Sequence, residues 1–260
     1  MKQKLPRISI ITPSLNQGDF IEKTILSVLD QQYPDLEYLV VDGGSTDQTS
    51  EIIQKYGHSL LSIREKDNGQ TQAINKGLRQ STGDILAFLS SDDIYLPGAL
   101  RIVGEYFSEH PDAMWLSGYC INIDNNDREI RKFIRYYKNF WLAIHNYKVL
   151  LVLNYISQPS TFWRRKVLEE AGYLDENLYF TMDYEYWLRL GRKYPLHVLN
   201  QNLARFRIHK LSKSGSTSHK QFDEEYQVAG RYSNKFLLLL HRIHRQLNII
   251  VYRLMMHINS

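Results

Sequence analysis

Two apolar runs in the chain of 260 residues each end in a cluster of carboxylates. The run 39–41 leads into Asp42 and a Gly-Gly-Ser-Thr-Asp turn, and the run 85–89 leads into Ser90, Ser91, Asp92 and Asp93. Ligands of a parallel α/β sheet bind in the crevice at the carboxyl ends of its strands. Carboxylates placed there can accept hydrogen bonds from a base or a ribose, and they can hold a divalent cation. The pattern therefore predicts a polar ligand site at one edge of a sheet.

The elements that must position these carboxylates alternate along the first 110 residues. Apolar runs over 8–12, 36–42, 59–63 and 85–89 predict strands. Apolar residues at three- and four-residue spacing predict helices at 20–29, 48–56, 71–80 and 97–107, the last opened by Pro97. This alternation predicts an α/β fold with a right-handed, mostly parallel central sheet and helices on both faces.

The pattern is less regular after Pro111. We expect a strand at 114–123, an aromatic helical or irregular insertion over the site at 136–155, helices at 164–171 and 183–194, and a strand at 196–206. The sequence shows no internal repeat and no linker. It therefore predicts one catalytic domain over 1–218, followed by a C-terminal helical extension over 219–260.

Composition narrows the class of protein. A hydrophobic content of 43% is ample for a core, and the single Cys120 excludes an internal disulfide. The first residues lack the apolar stretch of a secretory signal, and no run approaches the ~18 apolar residues of a membrane-spanning helix. We therefore expect a cytoplasmic protein. The net charge of +4 comes without a recognition motif, which argues against nucleic acid as a partner.

The tail has the pattern of an amphipathic helix. Basic residues gather on one of its faces, while another face carries Phe236, Leu240, Ile243, Leu247, Ile250, Leu254 and Ile258. Such a helix suits the surface of an anionic membrane, so we expect peripheral contact with the inner face of the cell membrane through 235–260. The alternative is a helix that folds back on the domain or pairs in a dimer.

Six short blocks occur in an order typical of one enzyme family. They are 11–16 (ITPSLN), 27–34 (SVLDQQYP), 41–47 (VDGGSTD), 73–77 (AINKG), 90–93 (SSDD) and 183–187 (DYEYW). With these blocks the chain resembles the family 2 glycosyltransferases over about 8–214. These are inverting enzymes of the GT-A nucleotide-diphospho-sugar transferase fold, which move a sugar to an acceptor hydroxyl. Blocks 157–162 and 172–175 resemble the branch that builds bacterial surface polysaccharides.

The resemblance implies a nucleotide pocket, with a UDP-sugar as the favoured donor. Asp42 is then expected to accept hydrogen bonds from the base, because an ionised carboxylate can accept from the N3–H of uracil or from a guanine edge. The alternative is that Asp42 only caps the following turn through Ser45. The pocket is implied to be lined by Thr12, Pro13, Ser14 and Asn16.

The resemblance also implies a site for Mn²⁺ or Mg²⁺. Ser90 stands where the family has the first Asp of an Asp-x-Asp element, which leaves Asp92 as the expected ligand; these cations often take only one or two protein carboxylates. His209 resembles the position of a second metal or phosphate ligand, and a solvated surface histidine is the alternative. Ser91 and Asp93 are expected to contact the donor, although Asp93 can equally cap the helix after Pro97.

A second departure from the family is Ile74, where many relatives have an arginine that reaches the donor. The charge of the diphosphate must then be balanced by the metal and by other cations. Arg207 is expected to take this role, with Lys76 and Arg205 as further candidates.

The resemblance assigns the general base to Asp183. Inversion by direct displacement needs a group that takes the proton of the acceptor hydroxyl, and a positioned carboxylate contributes typically about 10²- to 10⁴-fold. The alternative makes Asp183 the N-cap of the helix that follows it. Glu185 and Asp175 are weaker candidates. Gln158 and Trp187 are expected on the acceptor side, where aromatic rings stack on sugars, although a tryptophan in a helix is as often a core residue.

The sequence thus predicts a metal-dependent inverting glycosyltransferase that acts on a saccharide or a lipid-linked saccharide. One rival is a nucleotidyltransferase, which would carry a basic, glycine-rich loop directly after the first strand; residues 12–16 contain no basic side chain. The other rival is a non-catalytic nucleotide-sugar-binding protein, suggested by Ser90 and Ile74.

Overall fold

The computed structural model describes residues 4–209, 212–213 and 218–258, without the side chains of 218, 219 and 252–258. The basic segment 205–214, which contains the expected site residues Arg207 and His209, therefore lies partly outside the described residues, and so do the side chains of Leu254 and Ile258. The first half contains β1 (Ile8–Ser14), α1 (Ile21–Leu29), β2 (Leu36–Asp42), α2 (Thr49–Lys55), β3 (Leu61–Arg64), α3 (Gln70–Gln80), β4 (Ile85–Phe88), β5 (Ile94–Tyr95) and α4 (Ala99–Glu109).

The second half is more varied. It contains β6 (Trp115–Ile123), α5 (Lys132–Ala143), α6 (Tyr147–Leu150), a 3₁₀ turn (Gln158–Ser160), β7 (Thr161–Arg164), α7 (Arg165–Ala171), α8 (Met182–Lys193), β8 (His197–Arg207), α9 (Ser218–Tyr232) and α10 (Lys235–Ile258). The predicted aromatic insertion is α5 and α6. The short strands β5 and β7 were missed, because two and four residues are too few to show a period.

The strands form one eight-stranded sheet in the order β3-β2-β1-β4-β7-β6-β8-β5. Strands β1 to β4 pair in parallel, as their continuous apolar runs predict, and β6 is parallel to β8. The other pairings are antiparallel: β7 with both β4 and β6, and β5 with β8. The predicted α/β fold is confirmed, and its antiparallel pairs belong to the part of the chain where the pattern loosened.

The sheet separates two apolar layers. Along β1, Ile8 and Ile10 face one layer and Ile11 faces the other, as expected for a strand buried on both sides. Helices α1, α2 and α4 fill the first layer, and α3, α5, α7, α8 and α9 contribute to the second. This three-layer arrangement presents the carboxyl ends of β1, β2 and β4 at one edge.

The C-terminal helices pack on the domain. Val228 and Ala229 of α9 are fully buried in the second layer, and Arg231 Nη1 lies 2.9 Å from Asp175 Oδ2. In α10 the buried His241 donates from Nδ1 to the carbonyl of Leu151, 2.9 Å away. One face of the predicted amphipathic helix therefore folds back on the domain. Among the described residues, no helix is both long enough and apolar enough to span a bilayer.

Candidate active site

A cavity of about 450 Å³ opens where the strands end. The loops after β1, β3, β4 and β8 form one side of it, and α5, α9 and the turn before α8 form the other. Of the residues expected from the sequence, the cavity is lined by Pro13, Ser14, Ser91, Asp92, Gln158, Asp183 and Arg207. It therefore joins groups that lie far apart in the chain.

The loop after β1 is tied to the loop after β2. Asn16 adopts a left-handed conformation, with φ 52°, which asparagine tolerates better than most residues. Its Oδ1 accepts from the Thr46 amide at 2.8 Å, and its own amide donates to Ser45 Oγ at 2.9 Å. Asn16 thus shapes the cavity rim without lining it.

Asp42 and Thr12 lie behind the cavity wall. Asp42 is the register partner of Ser14, and its Oδ1 accepts from the amide and hydroxyl of Ser45 at 3.0 and 2.5 Å. The turn-capping alternative is thus realised. Asp42 Oδ2 lies 3.5 Å from Arg64 Nε and accepts no hydrogen bond from the described residues. Thr12 is fully buried and accepts from the Tyr38 hydroxyl at 3.1 Å.

Asp92 and His209 lie side by side. His209 Nε2 is 3.0 Å from Asp92 Oδ2, and the ring of Phe20 lies 4.7 Å from the imidazole. Asp92 lines the cavity, while His209 is buried behind it. A carboxylate oxygen beside an imidazole nitrogen is a donor pair suited to Mn²⁺. The described residues hold no cluster of three potential ligands, so a cation here would need phosphate and water oxygens to complete its shell.

Asp93 is buried beneath the cavity and does not cap α4, whose N-cap is Gly98. Its Oδ1 accepts from the Arg207 amide at 2.9 Å. Burial, with a contribution from the charge of Asp92, raises the pKa of Asp93 well above its usual value. The backbone of this loop is held by Thr24, whose hydroxyl donates to the carbonyls of Ser91 and Asp93 at 2.8 Å each.

The guanidinium of Arg207 is enclosed by protein oxygens. Nε donates to the Asp92 carbonyl at 2.8 Å, Nη1 donates to the Asp124 carbonyl at 2.7 Å, and Nη2 lies 2.6 Å from Asp127 Oδ1. Its side chain is fully buried. The structure therefore uses Arg207 to fix the loop that carries Asp92, although the residue also borders the cavity.

Asp183 lies in the first turn of α8. The N-cap of this helix is Thr181, so Asp183 is its second residue, and the N-cap alternative is wrong by two positions. Its Oδ1 accepts from the Tyr184 amide at 2.7 Å. Burial raises the pKa of Asp183, while the Tyr184 amide and the charges of Lys138 and Lys213 lower it. A raised pKa brings a carboxylate closer to the range of an effective general base.

The cations of the cavity differ from those expected. Lys76 pairs with Glu65, with 3.1 Å between Nζ and Oε1, and neither Lys76 nor Arg205 lines the cavity. Lys138 and Lys213 do line it, and burial lowers the pKa of both, that of Lys213 to about 8. Lys213 belongs to the basic segment 205–214, which begins at the end of β8. Lys138 was missed because a lysine on an amphipathic helix usually faces solvent.

Other expected groups lie outside the cavity. Trp187 is fully buried and stacks on Trp115 with 5.8 Å between ring centroids, so the core alternative holds. Glu185 is engaged by Arg189 at 2.6 Å, and Ile74 is buried in the core. Asp175, the other weaker candidate for the base, is held by Arg231.

Three polar groups of the cavity region escaped sequence reasoning. Asp67, in the loop after β3, lines the cavity next to the carboxyl ends of the strands. Asn154 also lines it and donates to Glu225 Oε1 at 3.1 Å. Burial, with a contribution from the nearby charge of Asp183, raises the pKa of Glu225 to about 7, although Asn154 and Lys138 act in the opposite direction. Asp67 follows a strand, which is a usable signal; no sequence signal distinguishes Glu225.

The mixed sheet with its cavity at the strand ends has the GT-A fold. Residues 9–172 match the model described as glycosyl transferase family 2, and the chain belongs to this family. A putative teichuronic acid biosynthesis glycosyltransferase, TuaG of Bacillus subtilis, is 32% identical over 209 residues, which cover 78% of this chain and 79% of TuaG. An uncharacterized glycosyltransferase of Rickettsia prowazekii is 26% identical over 239 residues, which cover 86% of this chain and 71% of that protein.

Two solved structures share the fold. Staphylococcus aureus TarS 1–349 in complex with UDP-GlcNAc has a TM-score of 0.69 at 20% identity, and the match covers 85% of this chain and 65% of that chain. The mannosyltransferase PcManGT from Pyrobaculum calidifontis, in complex with GDP-Man and Mn²⁺, has a TM-score of 0.71 at 19% identity, covering 91% and 69%. This chain spans 37% of a longer relative from Rickettsia conorii.

Proposed function

We propose that this protein transfers a sugar from a nucleoside diphosphate sugar to an acceptor hydroxyl with inversion at the anomeric carbon. The observation that carries the proposal is the meeting of Asp92 and Asp183 in one cavity. Asp92 lies in the loop after β4, and Asp183 lies in the first turn of α8. A donor and an acceptor can therefore be held between the two carboxylates.

The donor nucleoside is assigned to the edge formed by β1 and β2. Pro13 and Ser14 line this part of the cavity, and Thr12 and Asn16 support the loop. Asp42 Oδ2 has no hydrogen-bond donor among the described residues, so it can accept one from a base. The other oxygen of this carboxylate is already engaged by Ser45, and Arg64 lies 3.5 Å from Oδ2, so Oδ2 is the atom assigned to the base. We favour a UDP-sugar.

Asp92 and His209 are assigned to Mn²⁺ or Mg²⁺, with Ser91 and Asp93 holding the loop in place. When bound, such a cation supplies charge that stabilises the departing diphosphate. Lys213 and Lys138 add positive charge to the same cavity. Arg207 is assigned the task of fixing the Asp92 loop, because each nitrogen of its guanidinium lies within 2.8 Å of a protein oxygen.

Asp183 is assigned the role of general base. As the acceptor oxygen attacks the anomeric carbon, its proton moves to the Asp183 carboxylate and the bond from that carbon to the diphosphate oxygen breaks with its electron pair. The nucleoside diphosphate leaves from the opposite face, so the configuration inverts. Burial of Asp183 supports this role because it raises the proton affinity of the carboxylate.

The acceptor is proposed to be a saccharide, lipid-linked, in the synthesis of a surface polysaccharide. The similarity to TuaG, a putative teichuronic acid biosynthesis glycosyltransferase, supports this class. The exposed apolar positions of α10, including Phe236, Ile243 and Leu247, support peripheral contact with the inner face of the cell membrane. We accordingly propose a cytoplasmic location at that surface.

A thermal-shift panel with UDP, GDP, dTDP and CMP compounds, each with and without Mn²⁺, tests the donor assignment. Ligand binding to the native state raises the apparent stability, so a nucleotide-specific and Mn²⁺-dependent rise is expected. Transfer to a lipid extract should then release the nucleoside diphosphate. Release of pyrophosphate would identify a nucleotidyltransferase instead, and binding without transfer would identify a binding protein.

A further inference from the structure

Helix α5 has an exposed apolar stripe that the catalytic assignment leaves unused. The stripe consists of Phe133, Tyr136 and Phe140 and is continued by Ile144, the residue directly after the helix; Phe133 is 78% exposed and Phe140 58%. These positions recur at three- and four-residue steps, so they share one face of the helix. The opposite face of α5 supplies Ile134 and Lys138 to the cavity.

Helix α10 has a similar stripe, formed by Phe236, Leu240, Ile243, Leu247 and Ile250. The two helices meet where the Tyr137 hydroxyl lies 3.2 Å from His244 Nε2 and the two rings stack. Residues four before and three after a contact lie beside it on the same helix face. Phe133 and Phe140 therefore flank the contact on α5, and Leu240 and Leu247 flank it on α10.

We propose that the two stripes form one docking face for an anionic membrane surface, called here the two-helix face. Neither helix contains an acidic residue, and Lys235 and Arg242 of α10 are exposed. Exposed phenylalanine and tyrosine beside basic side chains match the boundary between headgroups and acyl chains, and the charge matches anionic lipids. The face extends the membrane contact proposed above from α10 to the helix that walls the cavity.

Vesicle sedimentation tests this inference. Wild-type protein should bind vesicles of equal parts phosphatidylglycerol and phosphatidylcholine more strongly than vesicles of phosphatidylcholine alone, and added salt should weaken the binding. The double change Phe133→Ser and Phe140→Ser should lower the partition coefficient about tenfold or more. The matched control Leu61→Ser removes an equally exposed leucine of β3 and should leave binding unchanged.

A second pair, Leu240→Ser and Leu247→Ser, separates this inference from the membrane contact of α10. If this pair abolishes binding and the α5 pair does not, the two-helix face is wrong while the contact of α10 stands. If wild-type protein does not bind vesicles, and sedimentation velocity shows a dimer that the α5 pair disperses, the occupant is a second copy of this chain and the proposal is overturned. The single change Phe133→Ser repeats the test at the most exposed position.

A separate observation concerns Glu224 of α9. Its carboxylate accepts from the amides of Tyr179, Phe180 and Thr181 at 3.1, 2.8 and 2.8 Å, and from the Thr181 hydroxyl at 2.7 Å. Thr181 is the N-cap of α8 but makes no capping bond with its own side chain. The three amides belong to the N-cap of α8 and to the two residues before it, so a distant helix holds the segment that leads into α8.

The geometry points to Glu224 as a positioning residue for Asp183. It fixes the three residues that lead into the first turn of α8, and Asp183 follows Thr181 by two positions. Lys213, which lines the same cavity, adds a bond from Nζ to the Tyr179 carbonyl at 2.7 Å. This inference rests on the role proposed for Asp183.

The kinetics of Glu224→Gln test the positioning role. The glutamine has the shape of the glutamate, but its NH₂ group would face the backbone amides that donate to the carboxylate. We expect kcat to fall about tenfold with the KM of the donor unchanged, and the pH profile of kcat to shift. Glu224→Asp should recover part of the rate, and Gln227→Ala, an exposed change on the same helix, should behave as wild type.

The outcomes separate the two assignments. A Glu224→Gln variant with wild-type kcat and pH profile, measured beside an inactive Asp183→Asn, would overturn the positioning role alone. If Asp183→Asn is active, the role of the base itself is lost. A lowered melting temperature with unchanged kcat would show that Glu224 acts only on stability.

Discussion

The two sides of the cavity are built differently. The side proposed for the donor consists of strand ends and the loops directly after them. Its polar groups are held by the short contact of Ser45 with Asp42 and by contacts between strand ends of the same sheet, such as Arg207 to Asp92. The side proposed for the acceptor consists of side chains from α5, α8 and α9, and Lys213 bonds to it through the Tyr179 carbonyl. The contacts of this side join separate helices and turns, such as Glu224 to Thr181. The donor side can therefore keep its geometry within one sheet edge, while the acceptor side depends on how separate helices pack.

The charges differ as well. On the donor side the buried Arg207 is matched by carboxylate and carbonyl oxygens, so its charge is compensated within the protein. On the acceptor side Asp183, Lys138 and Glu225 share a buried region in which burial moves every pKa toward the neutral form. Such shifted groups gather where proton transfer is needed. These differences support the proposal that one side holds the donor and the other side carries the group that accepts the proton.

The largest effect is expected from Asp183→Asn. Turnover should fall by about 10²-fold or more, because the amide cannot take the acceptor proton, and donor affinity should stay near wild type. Initial rates and donor thermal shifts measure the two quantities. Asp175→Asn is the matched control, since that carboxylate lies outside the cavity and is held by Arg231. Near-normal transfer by Asp183→Asn would contradict the proposal that this side of the cavity supplies the general base.

On the donor side Arg207→Met should lower the free energy of unfolding by about 3 kcal/mol or more, because Asp127 and two carbonyls lose a buried partner. Lys23 is the other cation that pairs with Asp127, and the Lys23 side chain is 52% exposed. Lys23→Met should therefore lower the free energy of unfolding by about 1 kcal/mol or less. Urea unfolding compares the two. Equal costs would show that burial does not distinguish these ion pairs.

Asp92→Ala should weaken Mn²⁺-dependent binding of nucleoside diphosphates roughly tenfold or more, because a carboxylate is the main protein ligand that Mn²⁺ or Mg²⁺ would have there. His209→Ala should have a smaller effect. Titration calorimetry with and without Mn²⁺ separates the metal-dependent part. If the Mn²⁺-dependent affinity of Asp92→Ala is unchanged, Asp92 is not a ligand of the metal.

The smallest effect is expected from Glu225→Gln, and it depends on pH. The folded pKa of Glu225, about 7, lies above the ordinary 4.5, so the native state holds more protons between these values. The stability that protonated Glu225 contributes is complete below about pH 4.5 and is lost as the pH rises through about 7. Glu225→Gln should therefore unfold like wild type at pH 4.5.

At pH 8 the same variant should be more stable than wild type by on the order of 1 kcal/mol, because the wild-type protein then holds an ionised carboxylate in a buried position. Urea unfolding at the two pH values provides the measurement. Glu109→Gln, at an exposed position of α4, should show no such difference. If the stability difference between Glu225→Gln and wild type is the same at both pH values, the pKa of Glu225 is not raised in the folded protein.

Sequence reasoning succeeded where local pattern and function coincide. Strand β2 was predicted with its observed bounds, and the strand ends that carry Asp42 and Asp92 were located because apolar runs stop there. The fold and the family were confirmed by the comparisons. The roles of Asp42, Asp92, Asp183 and His209 stay predictions, although Asp92 and Asp183 do meet at the cavity.

The residues whose environment was not predicted from the sequence share a physical feature. Lys138, Glu224 and Glu225 lie on amphipathic helices, where lysine and glutamate usually face solvent, so nothing in their spacing marks them as buried. Arg207 was expected at the phosphates, but contacts with Asp127 and Asp124, 80 and 83 positions away, enclose its guanidinium. Burial by a distant segment leaves no local periodicity.

The sequence by itself determined the order of the elements, the family and the polar strand ends, because apolar runs and the residues that stop them are local properties of the chain. Only the tertiary structure decided which charges share the cavity, since that depends on how α5, α8 and α9 pack across the sheet. A side chain's environment is set by its neighbours in space, and most neighbours of Asp183 come from other elements of the chain.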